Sequence, residues 1–305
     1  MLLENADTAM YKAKARGGDC MIMYSPDMSA GARSRLLMEN ALFHAIERKE
    51  LLLHYQPLIS AKTGQLAAVE ALLRWQHPEY GLVSPGESIP IAEETGLIDV
   101  IGEWVLRTAC TQMNDWYSRG LPRISVSVNL SSRQLRQEGL VSTIKKVLAD
   151  TDFDPQDLEF ELTESFLMDD VARSKSILAD LKALGVTIAL DDFGTGYSSL
   201  SYLTGFPLDA LKIDRTFVAA LMTSEANASI VRATIGLAKG LCLKTVAEGV
   251  ETKAQADFLV KLGCDMLQGF LFARPLTPEA FLSFAKASGA NLLSRSTREE
   301  PEKTI

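Results

Sequence analysis

Three histidines (His44, His54, His77) and four cysteines (Cys20, Cys110, Cys242, Cys264) are all that this chain of 305 residues offers to a soft metal, and no two cysteines form a CxxC pair. A zinc finger or ribbon is thereby excluded, and widely spaced thiols point to a reduced, cytoplasmic setting. No apolar stretch approaches the roughly 18 residues of a membrane span, and the N-terminus lacks the basic-then-apolar plan of a signal peptide. Basic residues are not in excess either. Lys and Arg number 31 against 39 Asp and Glu, a net charge of −8, so the basic footprint of a nucleic-acid-polymer binder is missing. An anionic substrate must be drawn by something other than bulk charge. What is abundant is core material: 47% of residues are hydrophobic, enough for one large domain with additions.

Along the chain, Ala6 to Ala15 reads as a short helix, followed by a turn at Gly17-Gly18 and a small strand, Cys20 to Tyr24. Residues 25–50 read as a helical linker, with Leu36, Leu37, Leu42, Phe43 and Ile46 at helical spacing from Ala30 to Arg48. From Leu51 strands and helices alternate. Strands are expected at Leu51–Leu58, Gln65–Leu73, Ile124–Leu130, Leu158–Leu162, Thr187–Leu190, Ala210–Ile213, Lys244–Ala247 and Met266–Phe272. Helices are expected at Pro90–Ser118, Val141–Leu148, Val171–Leu184, Ala226–Gly240 and Lys253–Leu262. Eight strands with intervening helices predict an α/β barrel of the TIM (β/α)8 kind over residues 51–290. Only a turn, Ser60 to Gly64, separates the first two strands, and parallel neighbours need a longer crossover. The barrel is therefore expected in modified form, with an antiparallel first strand. The charge- and serine-rich tail over 291–305 has nothing to bury and is expected to be disordered.

Asp191 and Asp192 stand where the apolar run Val186 to Leu190 meets a glycine-bearing turn, Phe193 to Ser199. Neighbouring strand side chains point to opposite faces, so two adjacent carboxylates converge only where the strand ends, and the glycines supply the freedom to turn. The pair reads equally as a helix N-cap or as a bridge between two divalent ions. Other strands carry polar residues too: Glu70, Asn129, Glu161, Lys212, Glu248 and Gln268. A polar group inside an apolar strand is unfavourable unless paired or coordinated, and barrel active sites form at the C-terminal strand ends. Each residue alone has an ordinary structural reading; one on nearly every strand points to a site.

Nine motifs carry a family resemblance: Tyr55-Gln56-Pro57, Glu70-Ala71-Leu72-Leu73-Arg74-Trp75, Ser84-Pro85-Gly86-Glu87, Val128-Asn129-Leu130-Ser131, Glu161-Leu162-Thr163-Glu164, Asp191-Asp192-Phe193-Gly194-Thr195-Gly196, Leu211-Lys212-Ile213-Asp214, Ala247-Glu248-Gly249-Val250-Glu251 and Gln268-Gly269. In this order, over roughly residues 35 to 288, the chain resembles the EAL domain, the cyclic-di-GMP phosphodiesterase family. Ser88 departs from the phenylalanine common in that family after Pro-Gly-Glu, away from the inferred metal residues.

The resemblance implies hydrolysis of cyclic-di-GMP to linear pGpG with two Mg²⁺ or Mn²⁺ ions, Ca²⁺ being inhibitory. It implies Glu70, Asn129, Glu161 and Asp191 as ligands of one ion and Asp191, Asp192 and Glu248 of the other. Lys212 would act on the attacking water, as base or as transition-state stabiliser, and Glu164 would anchor the loop after Asp192. Gln56, Leu72, Arg74, Asn129, Asp214, Glu251, Gln268 and Pro275 would contact or position the dinucleotide. A charge count agrees: five carboxylates and Lys212 leave −4, which two divalent ions cancel. The resemblance also implies a homodimer through the segment after Asp192, with no membrane contact by this fragment.

Residues 1–24 resemble the end of a GGDEF domain, in Asn5 to Lys14, so upstream GGDEF and sensory domains are expected in a longer protein, which could be membrane-anchored through them. Gly17-Gly18-Asp19 imitates the signature of that domain but lacks the following Glu-Phe. Two rival functions remain open: a catalytically inactive cyclic-di-GMP receptor, and another Mg²⁺-dependent barrel enzyme such as an enolase-like lyase.

Overall fold

The computed structural model describes residues 26–194 and 203–288 together with Ala6, Ala9, Met10, Met21, Met23, Leu292 and Leu293. The expected GGDEF-like remnant, the Thr195–Ser199 part of the aspartate loop and the expected disordered tail lie almost wholly outside the described residues. Two compact units emerge, Met1–Leu52 with Trp75–Leu97, and Leu53–Arg74 with Ile98–Ile305.

The second unit holds a closed ring of eight strands. These are β1 (Leu51–Ser60), β2 (Leu66–His77), β4 (Ser125–Asn129), β5 (Leu158–Thr163), β6 (Thr187–Phe193), β7 (Ala210–Ile213), β8 (Lys244–Ala247) and β9 (Met266–Gln268). Neighbours run β1-β9-β8-β7-β6-β5-β4-β2, and a β1–β2 pairing closes the circle. β1 is antiparallel to β9, whereas β2 pairs parallel with β4 and every later junction is parallel. The modified barrel with its antiparallel first strand is thus the observed fold. Its cause is the short link: Gly64 takes a left-handed φ of 69° and its N–H donates to Ser60 O at 2.8 Å, so the chain reverses at once.

Between most strands lie amphipathic helices with explicit ends. Thr252 and Gln255 form a capping box that starts Lys253–Leu262, and left-handed Gly263 ends it. Leu58, Ala68 and Val246 pack together inside the ring, with Met266 against them. Above this plug comes a polar layer, in which Ser127 Oγ donates to Glu159 Oε1 at 2.8 Å. Glu159 and Glu161, two apart on β5, share a face, so this layer lies one step below Glu161.

In the first unit, β2 runs on past Arg74 and Trp75–His77 pair with an unforeseen short strand, β3 (Gly81–Val83). Trp75 Nε1 donates to Glu50 at 3.0 Å, and Arg35 pairs with Glu94. The helix expected from Ala30 runs Pro26–Ala45, and Leu36, Leu37 and Phe43 are exposed on it while Leu42 and Ala45 are buried. Its apolar residues encircle the helix, so spacing alone did not select the covered face.

The single helix expected over Pro90–Ser118 is two, Pro85–Thr95 and Leu97–Ser118. Gly96, at φ 81°, caps the first through its N–H to Glu93 O. The last strand stops at Gln268 rather than Phe272, and a helix not foreseen, Pro278–Ala287, follows with Thr277 as its cap. Among the described residues no helix is long and apolar enough to cross a membrane.

Candidate active site

At the C-terminal end of the parallel strands the polar residues meet. Lys212 on β7 is 1% exposed, and its Nζ lies 2.6 Å from Glu161 Oε2, 2.6 Å from Glu248 Oε1, 3.6 Å from Asp191 Oδ1 and 3.8 Å from Glu70 Oε2. Asn129 Nδ2 donates to Glu70 Oε1 at 2.8 Å. Gln268 Nε2 donates to Glu70 Oε2 at 2.5 Å and to Gln56 Oε1 at 3.2 Å. Residues from seven strands of the ring, with Glu248 directly after β8, are drawn into one cluster by these contacts.

How adjacent aspartates come to face one site differs from the expectation. The strand does not end at Leu190; it continues to Phe193, with a register irregularity against β7 between Leu190 and Phe193. A bulge of this kind re-aims side chains. Asp192 itself adopts a left-handed φ of 54°, and its N–H donates to Asp191 Oδ1 at 2.9 Å. The turn is made by the bulged aspartate, which tolerates that conformation better than most residues, before the glycine is reached.

The cluster opens into a cavity of about 620 Å³ lined by Gln56, Glu70, Leu72, Asp191, Asp192, Asp214, Glu248, Glu251, Gln268 and Pro275, among others. Every one of these was singled out in the sequence. Asp214 caps the next turn, accepting from Thr216 N at 2.9 Å. Five expected residues do not line the cavity: Asn129, Glu161 and Lys212, which belong to the hydrogen-bonded cluster, and Arg74 and Glu164. Arg74 is half-buried and donates to Leu73 O at 2.7 Å, with Glu70 acting on it electrostatically. Glu164 is buried, and neither carboxylate oxygen meets a donor among the described residues. Arg215, Thr216, Gly249, Gly269 and Phe270 also line the cavity and were not foreseen as site residues.

Burial and mutual repulsion make the ring electrostatically tense. Burial, then Glu70, push the Glu161 carboxyl well above the usual range. Burial, opposed by Lys212 and assisted by Asp191 and Glu70, lifts Glu248 to about 7. Burial, then Asp191 and Asp214, raise Asp192 to about 6. Glu70 behaves oppositely: burial acts upward, but Lys212 and the amides of Gln268 and Asn129 hold it below its ordinary value. For Lys212 burial acts downward and the four carboxylates more than reverse it, keeping the ammonium protonated.

Whether divalent ions suit these residues can be tested on the geometry. Carboxylate oxygens of Asp191, Asp192 and Glu248 lie within 4.8 Å of one another. Glu161 gives Oε2 to Lys212, while its buried Oε1 meets no donor among the described residues. Oxygen-only donors of this kind suit Mg²⁺ or Mn²⁺. The residues fit.

Comparison with known proteins agrees with this geometry. A family model described as the EAL domain matches residues 39–275. The chain is 48% identical over 282 residues to the bifunctional diguanylate cyclase/cyclic di-GMP phosphodiesterase MucR of Pseudomonas aeruginosa, covering 92% of this chain and 41% of that protein. It is 40% identical over 280 residues to the cyclic di-GMP phosphodiesterase PdeR of Escherichia coli, covering 92% and 42%. The chain therefore spans less than half the length of these relatives. Among solved structures, a PaMucR phosphodiesterase in complex with c-di-GMP superposes with a TM-score of 0.78 at 48% identity, over 80% of this chain and 99% of that one. The EAL enzyme Bd1971 with cAMP and cyclic-di-GMP bound gives 0.80 at 32% identity, over 93% and 75%. With a barrel of this topology, an acidic ring at its strand ends and a family match over most of its length, the chain belongs to the EAL domain family.

Proposed function

We propose that this chain hydrolyses cyclic-di-GMP to linear pGpG and so terminates second-messenger signalling. The carrying observation is the convergence of Glu70, Glu161, Asp191 and Glu248 on the Lys212 ammonium, within 3.8 Å, beside a cavity of about 620 Å³. A pocket of that size suits a nucleotide-sized ligand.

Glu70, Asn129, Glu161 and Asp191 would hold one Mg²⁺ or Mn²⁺, and Asp191, Asp192 and Glu248 a second. Such ions, when bound, offset the negative charge facing an anionic diester and lower the pKa of an attacking water. The protein's own part is positioning. Gln268 and Asn129 hold the two oxygens of Glu70 from opposite sides, fixing the carboxylate. Lys212 grips Glu161 and Glu248 and presents a donor to the attacking water. Gln56, Leu72, Asp214, Glu251 and Pro275 line the wall against which the dinucleotide would lie, with Arg74 behind Glu70. Ca²⁺, which prefers looser and higher coordination, would occupy the site without supporting turnover.

Glu164, buried with no donor among the described residues, would anchor the loop that follows Asp192. We assign residues 1–24 to the end of an upstream GGDEF domain and 25–50 to a linker into the barrel. A homodimer through the aspartate loop and a cytoplasmic location belong to the same reading.

The test is product identity. Purified chain, cyclic-di-GMP and Mn²⁺ are incubated and resolved by chromatography; pGpG is expected, and Glu70→Ala should abolish it with the fold retained by circular dichroism. Tight binding of cyclic-di-GMP without pGpG would establish the receptor reading instead.

A further inference from the structure

The wall of the acidic cavity carries Glu70, Asp191, Asp192, Asp214, Glu248 and Glu251, and among the described residues the one cation that lines it beside them is Arg215. Lys212 lies deeper, closed off from solvent, and Arg74, behind Glu70, donates to Leu73 O outside the lining. Arg215 is exposed, and its guanidinium forms no ion pair or hydrogen bond with any described residue. An arginine placed among carboxylates and bonded to none of them keeps its five donors for an incoming anion.

The root of this side chain is fixed. A Cβ at Gly249 would stand 2.6 Å from Arg215 Cβ and 3.2 Å from its Cα, so the loop that follows Glu248 packs its bare backbone onto Arg215. On the other side Asp214 Oδ1 accepts from Thr216 N at 2.9 Å. Arg215 is thereby held between the ends of β7 and β8, the paired strands that deliver Lys212 and Glu248, with its head left at the mouth.

The charge of the proposed substrate calls for such a group. A cyclic dinucleotide carries two phosphodiesters, and hydrolysis engages one of them. The ions proposed above offset Glu70, Glu161, Asp191, Asp192 and Glu248 with Lys212. Nothing in that cluster answers the second phosphodiester, and Asp214 and Glu251 on the wall repel it. A guanidinium matches two phosphate oxygens with two parallel N–H donors. Resting on the cyclic-di-GMP reading of this cavity, we infer that Arg215 binds the phosphodiester that is not being cleaved, a specificity-determining contact that favours a dinucleotide with two phosphodiesters over one with a single phosphodiester.

The test compares cyclic-di-GMP with linear GpG, which keeps both guanines and one phosphodiester but lacks the second. Binding to the full chain is measured by calorimetry in saturating Ca²⁺, where turnover is not expected, for wild type, Arg215→Gln and Arg215→Lys. Arg215→Gln should weaken cyclic-di-GMP about ten- to hundredfold, the loss of a charge-assisted contact, and GpG by about twofold or less. Arg215→Lys, which keeps the charge without the planar fork, should fall between. In Mn²⁺ the KM for cyclic-di-GMP should rise by the same factor in Arg215→Gln while kcat changes far less. Equal cyclic-di-GMP affinity in wild type and Arg215→Gln would overturn the assignment. So would an equal loss for both ligands, which would make Arg215 a reader of guanine instead. A wild-type chain that binds cyclic-di-GMP without forming pGpG sinks the phosphodiesterase reading and leaves this comparison standing; hydrolysis by a chain whose Arg215→Gln variant binds as well as wild type sinks this inference alone.

Discussion

Replacing Lys212 by methionine removes an ammonium that lies within 3.8 Å of four carboxylates. Breaking a buried ion pair by deleting one partner typically destabilises by about 3–5 kcal/mol, so urea denaturation of the metal-free variant at pH 8 should show a loss of that order. Turnover should fall about 10²- to 10⁴-fold, the usual contribution of a positioned proton-transfer or donor group. The neighbouring carboxyls set a pH dependence of their own. Glu248 at about 7 and Asp192 at about 6 are raised in the folded chain, so folding favours their protonated forms. That contribution to stability is complete at low pH and is lost as pH rises through 6 to 7. The metal-free chain should therefore melt lower at pH 8 than at pH 5.5, and Glu248→Gln should flatten the difference. Cation binding requires the ionised forms, so Mn²⁺ affinity, measured by calorimetry, should rise over the same interval. Glu70, Glu161 and Lys212 were legible in sequence because a charged group in an apolar strand demands an explanation. Phe270 and Gly269 were not, because an aromatic ring and a bare backbone leave no such mark.

Among the elements, the strand ends were easiest to read and the irregularities hardest. Ala210–Ile213, Lys244–Ala247 and Lys253–Leu262 appear with the expected bounds, since each has a sharp polar or capped boundary. The bulge at Asp191-Asp192 has no periodic signature; it arises from a mismatch with β7 that only pairing reveals. Gly96 escaped because a lone glycine within a helical pattern is often tolerated. Two loops at the site rest on close backbone approach. A Cβ at Gly269 would stand 2.1 Å from Val250 O and 2.3 Å from Val250 N, atoms that cannot swing aside. Gly269→Ala should therefore cost about 1–3 kcal/mol in thermal unfolding, the range for overpacking. It should also lower kcat, because displacing Gln268 loosens its hold on Glu70. A variant with unchanged melting temperature and unchanged kcat would contradict this role for the β9 loop.

Taken whole, the molecule carries a charge of −8 and gathers Glu70, Glu161, Asp191 and Glu248 within 3.8 Å of the Lys212 ammonium, next to Asp192. The barrel supplies rigidity, and the charge imbalance supplies a reason for divalent ions to stabilise the folded chain. Ligand linkage gives about 2.7 kcal/mol at a free concentration of a hundred times Kd. Mg²⁺ or Mn²⁺ should raise the melting temperature in proportion to the logarithm of its concentration, with Asp191→Asn losing most of the effect. The barrel was legible at this scale because hydrophobic runs recur at regular intervals with one turn-length exception. The division into two units was not, since it cuts β2 at Arg74 and Trp75, inside one continuous strand.

The proposed hydrolysis of cyclic-di-GMP by this acidic ring requires divalent ions. Its most direct test is the initial rate of pGpG formation by the purified chain across chelator-buffered free Mn²⁺. The rate should be zero in excess chelator, rise saturably with Mn²⁺ and return fully on re-addition; full turnover in excess chelator would contradict the account.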